Sequence, residues 1–359
     1  MTSIAATIAN ELNIRDNQVE QALKLLAEGN TVPFIARYRK EATGGLDDAQ
    51  LRHIEERNTY LVELAERKQA VLESIEEQGK LTDDLKREIL AADTKARVED
   101  LYLPYKKRRK TKADIAREAG LEDLTQLLID DPAAAPETLA ERFTSEGFPD
   151  AKAALGGARA ILVDRFATDA DLVGAVRDRV FEQGTMRSGV VEGKEQEGAK
   201  FADYFDFAEP FDKLPSHRIL ALLRGENEGV LTLDLDAGDE AVYEGMIAER
   251  FDLPVKDSAW LAKAVQWGWR TKLQVSANLD TRMRLKEKAE AGALEVFKTN
   301  LRDVLLAAPA GQRSTLALDP GYRNGVKCAV VDGTGKVLAT TIVYPHQPQN
   351  RWDASRAEL

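Results

Sequence analysis

The chain has 359 residues, 31% charged and 43% hydrophobic, with a net charge of -11 at pH 7, enough length for two or three domains of ordinary soluble composition. A single cysteine, Cys328, excludes a disulfide framework, three scattered histidines exclude a Cys/His zinc site, and no apolar run approaches the ~20 residues that span a bilayer. The acidic balance argues against polyanion binding by the protein as a whole but not by a local basic patch, and the start of the chain lacks a signal-peptide pattern, so a cytoplasmic protein without membrane contact is expected.

From the start to about residue 308 the pattern predicts a mainly α, multi-helical body. Ile4, Ile8 and Leu12, then Val19, Ala22, Leu23 and Leu26, recur at the spacing of one buried helix face. Gly29-Asn30 closes the second helix, and Thr31 with Pro33 opens a third as N-cap and early helical proline. After Gly44-Gly45, Asp47 caps a long helix through Leu51, Ile54, Leu61, Leu64, Val71, Leu72 and Ile75, ending at Gly79. Further helices are predicted at 83–92, 112–119, 121–129, 151–166 and 172–182. The period then changes. Met186 to Val191 and Val230 to Leu235 read as a small strand pair, about 185–235, bracketing a helix from Pro215 to Leu223. Helices resume after Asp239, including a long one over about 280–307. The stretch from Ala308 to Gln312 is the clearest linker, so a helical region, 1–308, is predicted to join a second domain, 314–359, across a linker at 309–313.

Three basic groups are candidate nucleic-acid contacts. The densest is Lys106-Lys107-Arg108-Arg109-Lys110-Thr111-Lys112, six cations in seven residues, flanked by Tyr102 and Tyr105. It reads as a phosphate-binding loop with base stacking, or equally as a solvated loop that keeps the surface soluble. Arg37-Tyr38-Arg39-Lys40 falls in the third helix of a compact three-helix segment, where a helix-turn-helix module places its groove-entering helix; pairing of Arg37 or Arg39 with Glu41 or Asp47 is the stronger reading there. Arg282, Arg284, Lys286 and Lys288 share the late helix with Glu287 and Glu290 and read as a solvated face. His217 and His53 have the places of structural residues. Trp260, Trp267 and Trp269, with Leu261 and Val265 at helical spacing, read as core.

The end of the chain has a different pattern. The strand-like run 314–318 leads into Asp319-Pro320-Gly321, followed by strands at 326–331 and 337–343 around a turn at Asp332-Gly333. A carboxylate at the end of a first strand followed by a hairpin is how ribonuclease H-like folds begin, and there it is the first ligand of a two-metal site. The sequence stops near the start of the helix expected next, so no complete active site is expected. Asp319 is a vestigial metal ligand at most, with weak Mg²⁺ binding and no cofactor; capping the Pro-Gly turn and the phosphate loop of actin-like ATPases are alternatives.

Taken in order, the run from Val32 to Asp47, Asp100 to Lys106, Tyr204-Phe205-Asp206-Phe207, Pro215-Ser216-His217-Arg218, Arg224-Gly225-Glu226 and Leu318-Asp319-Pro320-Gly321 resembles the bacterial Tex family of transcription accessory proteins. The resemblance implies a helix-turn-helix-like element at about 1–45 and a truncated ribonuclease H-like domain of the YqgF/RuvC type. It also implies that the family's helix-hairpin-helix and OB domains come after the end of this sequence. Asn324 stands where the family pattern leads one to expect Thr. The function so implied is a non-enzymatic, sequence-nonspecific nucleic-acid-binding scaffold in transcription or RNA metabolism, acting on RNA or DNA with RNA polymerase or the ribosome as partners. The rivals are a metal-dependent RuvC-like nuclease using Asp319 and a protein-interaction platform.

Overall fold

In the computed structural model, which describes residues 3–308, 311–321 and 325–359, Ser3 accepts a hydrogen bond from the Ala6 amide at 3.1 Å and caps α1 (Ile4–Leu12). α2 (Asp16–Ala27) and α3 (Val32–Tyr38) follow, the latter with Pro33 in its first turn, where a missing amide breaks no helical bond. Ile8, Ala9, Val19, Ala22 and Ile35 are fully buried with Leu51 and Ile54 of α4 (Asp48–Glu76), so the faces picked out by the helical spacing share one core. α3 is shorter than the sequence implied. It ends at Tyr38, Arg39 is its cap, and Lys40 lies in the turn that runs to Gly44 and Gly45. Both glycines have left-handed backbone, φ 63° and 89°, which side chains disfavour, and they close that turn ahead of α4.

The body continues with α5 (Asp83–Ala91), α6 (Lys95–Tyr102), α7 (Lys112–Glu118), α8 (Leu121–Asp130), α9 (Pro136–Ala140), α10 (Ala151–Thr168) and α11 (Ala170–Gln183). α6, absent from the sequence-based expectation, is started by Thr94, whose hydroxyl accepts from the Arg97 amide. Gly157 lets α10 close on its neighbours: a Cβ there would lie 2.4 Å from Leu121 Cδ1 and 2.8 Å from Phe148 Cε1.

The expected strand pair is a three-stranded antiparallel sheet, a correction. β1 (Thr185–Val190) lies between β2 (Asp206–Pro210) and β3 (Leu231–Asp236), with Met186 opposite both Glu209 and Leu235. β2 is short, acidic and ends in proline, which suits an edge strand and gives little strand signal. α12 (Ser216–Asn227) joins β2 to β3, and α13 (Glu240–Arg250) and α14 (Ala259–Gly268) follow. α14 runs through a π-helical turn, Trp269–Leu273, into α15 (Gln274–Leu305), which begins earlier than predicted. Trp269 is fully buried and stacks flat on Tyr243 with ring centroids 4.1 Å apart. The core reading of the tryptophans holds for Trp269 but not for Trp267, which is 52% exposed.

An ion triad, buried at Arg177 and Asp100 and a third exposed at Asp280, ties three of these helices together. Arg177 of α11 donates two hydrogen bonds to Asp100 of α6, at 3.0 and 2.7 Å, and lies 3.7 Å from Asp280 of α15. The bidentate bond to Asp100 raises the affinity of the guanidinium for its proton. Asp280 is the second carboxylate facing one arginine. Burial pushes its carboxyl above its ordinary value, against the opposing pull of Arg177.

The chain divides into two compact units, Met1–Glu290 and Ala291–Leu359. The second holds the end of α15, an antiparallel sheet of β4 (Thr315–Gly321), β5 (Gly325–Val331) and β6 (Val337–Val343) in that order, and α16 (Trp352–Glu358). β4 runs through Asp319 to Gly321 instead of stopping at Leu318. The division falls inside α15 rather than at the predicted linker, whose Pro309 and Ala310 lie outside the described residues, as does Asn324. Residues 294–308 are all exposed. Brief trypsin treatment is therefore expected to cut first at Lys298 or Arg302 and to leave a resistant fragment ending near residue 290. A first cut within α4, read by mass spectrometry, would contradict this picture of the core.

Candidate nucleic-acid interface

The basic loop leaves α6 through a short 3₁₀ turn, Leu103–Tyr105, and is tied at its far end by Thr111. The Thr111 hydroxyl accepts from the Asp114 amide while Asp114 accepts from the Thr111 amide and hydroxyl, a reciprocal cap that starts α7. Those bonds, then Arg108 and Arg117, hold the Asp114 carboxyl below its ordinary range. All six cations of the loop are exposed, but three are engaged. Lys107 pairs with Glu77 at 3.3 Å, Arg108 with Asp164 at 2.7 Å, and Lys110 with Glu118 at 2.7 Å. Lys106, Arg109 and Lys112 have no ion-pair partner among the described residues. The flanking tyrosines correct the stacking expectation. Tyr102 is buried and its hydroxyl meets Ser74 Oγ at 2.9 Å, while Tyr105 packs partly buried against the same cluster.

The second group separates along the backbone. Of these cations only Arg37 is on α3; Arg39 is its cap and Lys40 lies in the turn beyond it. The pairing expected with Glu41 or Asp47 is not found among the described residues; Asp47 instead accepts from the Gln50 amide at 2.8 Å to cap α4. Arg39 lies over the Phe34 ring at 5.3 Å, and Phe34 in turn packs against Tyr38, which is 62% exposed. Two aromatics and Arg39 thus share one small surface on α3, which is anchored in the first core cluster. On α15, Arg282 pairs with Glu226, Arg284 with Asp178 at 3.1 Å, and Lys286 with Glu290 at 3.7 Å, so that face is charge-matched.

Asp319 sits in β4 opposite Lys327. Asp332 points its carboxylate into its own turn, accepting from the Thr334 amide and hydroxyl and the Lys336 amide at 2.7–3.1 Å, which lowers its pKa. At ~3.3 Å per residue the two carboxylates are roughly 16 Å apart along the hairpin, against about 4 Å between the ions of a two-metal site. No group of three or more His, Cys, Asp or Glu able to hold a metal occurs among the described residues. Among the described residues Asp319 and Asp332 are not brought together.

The residue that sequence reasoning missed is Trp267, read as core together with Trp260 and Trp269. It stands two residues from both Val265 and Trp269, about 200° around the helix from that buried face, and is exposed, with the Arg159 guanidinium over its ring at 4.8 Å.

Family models match the chain in three successive parts: a Tex-like protein N-terminal domain at residues 2–76, a Tex central region-like segment at 131–297 and a Tex protein YqgF-like domain at 313–359. Among curated relatives, the transcriptional accessory protein Tex of Neisseria gonorrhoeae is 54% identical over 97% of this chain and 47% of its own length. Protein YhgF of Escherichia coli K12 is 51% identical over 97% and 46%. The human S1 RNA-binding domain-containing protein 1 is 27% identical over 97% and 36%. The chain spans about half the length of the bacterial relatives it matches. No described helix is long and apolar enough to cross a membrane. From its N-terminal helices to its ribonuclease H-like C-terminal unit, the chain belongs to the Tex family of transcription accessory proteins.

Proposed function

We propose that this chain is the part of a transcription accessory protein that holds nucleic acid electrostatically, without sequence preference and without turnover. The observation that carries the reading is the basic loop: three exposed cations, Lys106, Arg109 and Lys112, lack ion-pair partners among the described residues of a protein whose net charge is -11. Cations already matched by carboxylates release few counterions on binding; unmatched ones release most. The names of the relatives, a transcriptional accessory protein and an S1 RNA-binding domain protein, point the same way. Titration of the chain against single- and double-stranded RNA and DNA at two salt concentrations tests the reading. Weak binding that steepens as salt falls, alike across sequences, is expected; no binding at low salt defeats it.

The absence of turnover rests on the separation of Asp319 from Asp332. Asp319→Asn is expected to leave affinity unchanged, and Mg²⁺ or Mn²⁺ to produce no cleavage of RNA or branched DNA. Metal-dependent cleavage lost in Asp319→Asn would establish the nuclease reading instead. A protein-docking role is favoured by one feature: Leu294, Phe297, Leu301 and Val304 form an exposed apolar stripe at 3- and 4-residue spacing on α15, as one side of a helix pair does. RNA polymerase or the ribosome would supply the other side, and co-purification lost in Leu301→Glu tests it.

A further inference from the structure

We propose that a cleft between α7, α10 and the π-helical turn after α14 binds a single-stranded nucleic-acid segment, with one base stacked on Trp267 and its phosphates on Lys112, Arg159 and Lys272. This deepens the nucleic-acid reading above and rests on it. The cleft measures about 630 Å³, inside the range of about 300–1,000 Å³ typical of ligand sites. Its charge runs against that of the chain. Arg108, Lys112, Arg159 and Lys272 line it against one carboxylate, Asp164. Both oxygens of Asp164 are engaged by arginines, Arg108 at 2.7 Å and Arg117 at 2.9 Å, so it offers no free acceptor to repel a phosphate. Lys112, Arg159 and Lys272 have no carboxylate partner among the described residues.

The aromatic component is Trp267. A tryptophan that is half exposed, with a guanidinium already over its ring, offers the flat cation-bearing surface on which unpaired bases stack. A duplex cannot use it, because paired bases are stacked on both faces. Two backbone features keep the surface open. The π-helical turn carries Thr271 and Lys272 into the cleft wall, and such turns recur at functional sites. Gly156 lines the cleft in mid-helix, and a Cβ there would meet nothing within 4 Å, so the cleft is open at that point.

The test uses the whole chain and fluorescent U-tract and dT-tract oligonucleotides of about 12 nucleotides, with a duplex as comparison. Trp267→Ala is expected to raise the Kd for single strands roughly tenfold or more, Trp267→Phe to restore much of it, and Gly156→Glu, which adds charge and bulk without touching Trp267, to weaken binding as well. Quenching of tryptophan fluorescence by unlabelled oligonucleotide should disappear in Trp267→Phe, a signal that a merely structural role would not move. Circular dichroism of each variant checks the fold. Unchanged Kd and quenching in the Trp267 variants, with binding still weakened by Lys106→Gln/Arg109→Gln outside the cleft, overturns the cleft and leaves the loop reading intact. Equal losses for duplex and single strand overturn the stacking, and no binding by the unmodified chain overturns both readings.

Discussion

Arg177→Ala is expected to lower the unfolding free energy by about 3–5 kcal/mol, the usual cost of removing one partner from a buried ion cluster. The side chain of Arg177 is 14% exposed and that of Asp100 6%, so the variant leaves Asp100 and Asp280 as neighbouring carboxylates with no cation between them. Water would have to reach Asp100, and α6, α11 and α15 would separate locally. Urea unfolding followed by tryptophan fluorescence reports the effect; a loss under about 1 kcal/mol would mean that solvent reaches the site freely. Asp280→Asn should act in the opposite direction. Because burial raises the folded-state pKa of Asp280 above its ordinary 3.8, the stability linked to that group is fully present below pH 3.8 and is lost as pH rises through the raised value. At pH 7 the Asn variant should therefore melt higher than the parent, and the gap should close as the pH falls toward 4. A gap that widens on acidification would show that the carboxylate is stabilised, not penalised, where it lies.

Lys106→Gln, Arg109→Gln and Lys112→Gln together are expected to weaken single-strand binding on the order of 100-fold at 0.1 M salt and to flatten its salt dependence. Each phosphate contact carries a slope of about 0.7 in log K against log salt, so three contacts amount to roughly 2. The ion pairs of the loop supply an opposite experiment. Glu77→Gln with Glu118→Gln frees Lys107 and Lys110 and should tighten binding and steepen the slope. Filter binding across a range of salt measures both. If the triple Gln variant keeps the slope of the parent, the loop is only a solvated surface.

Much of the fold was legible because it rests on periodicity. Ile8, Val19, Ile35, Leu51 and Ile54 announce their burial by spacing, and Asp47 and Thr111 announce their helices by cap chemistry. What stayed hidden depends on tertiary pairing. β2 is an edge strand of mixed polarity that holds only because β1 is beside it. Arg177, Asp100 and Asp280 are scattered in sequence and meet only after three helices pack. The interface was half legible. The sequence shows the density of cations at 106–112 but not that Glu77, Asp164 and Glu118 neutralise half of them. It places Trp267 and Trp269 two residues apart, about 200° around a helix, which already sets one toward the core and the other toward the surface.

The π-helical turn that follows Gly268 fixes the rotational phase of everything after it. A helix advances about 100° per residue, so one residue more or less in the turn would rotate α15 by that amount about its axis. Leu273, Ala277, Leu285 and Ala289, all buried, would swing out of the core, and Asp280 would leave the side of the helix that faces Arg177. The five residues from Trp269 to Leu273 thus act as a phase setting whose length matters more than its composition. Substitutions at its exposed positions, Arg270, Thr271 and Lys272, should be tolerated far better than a single deletion.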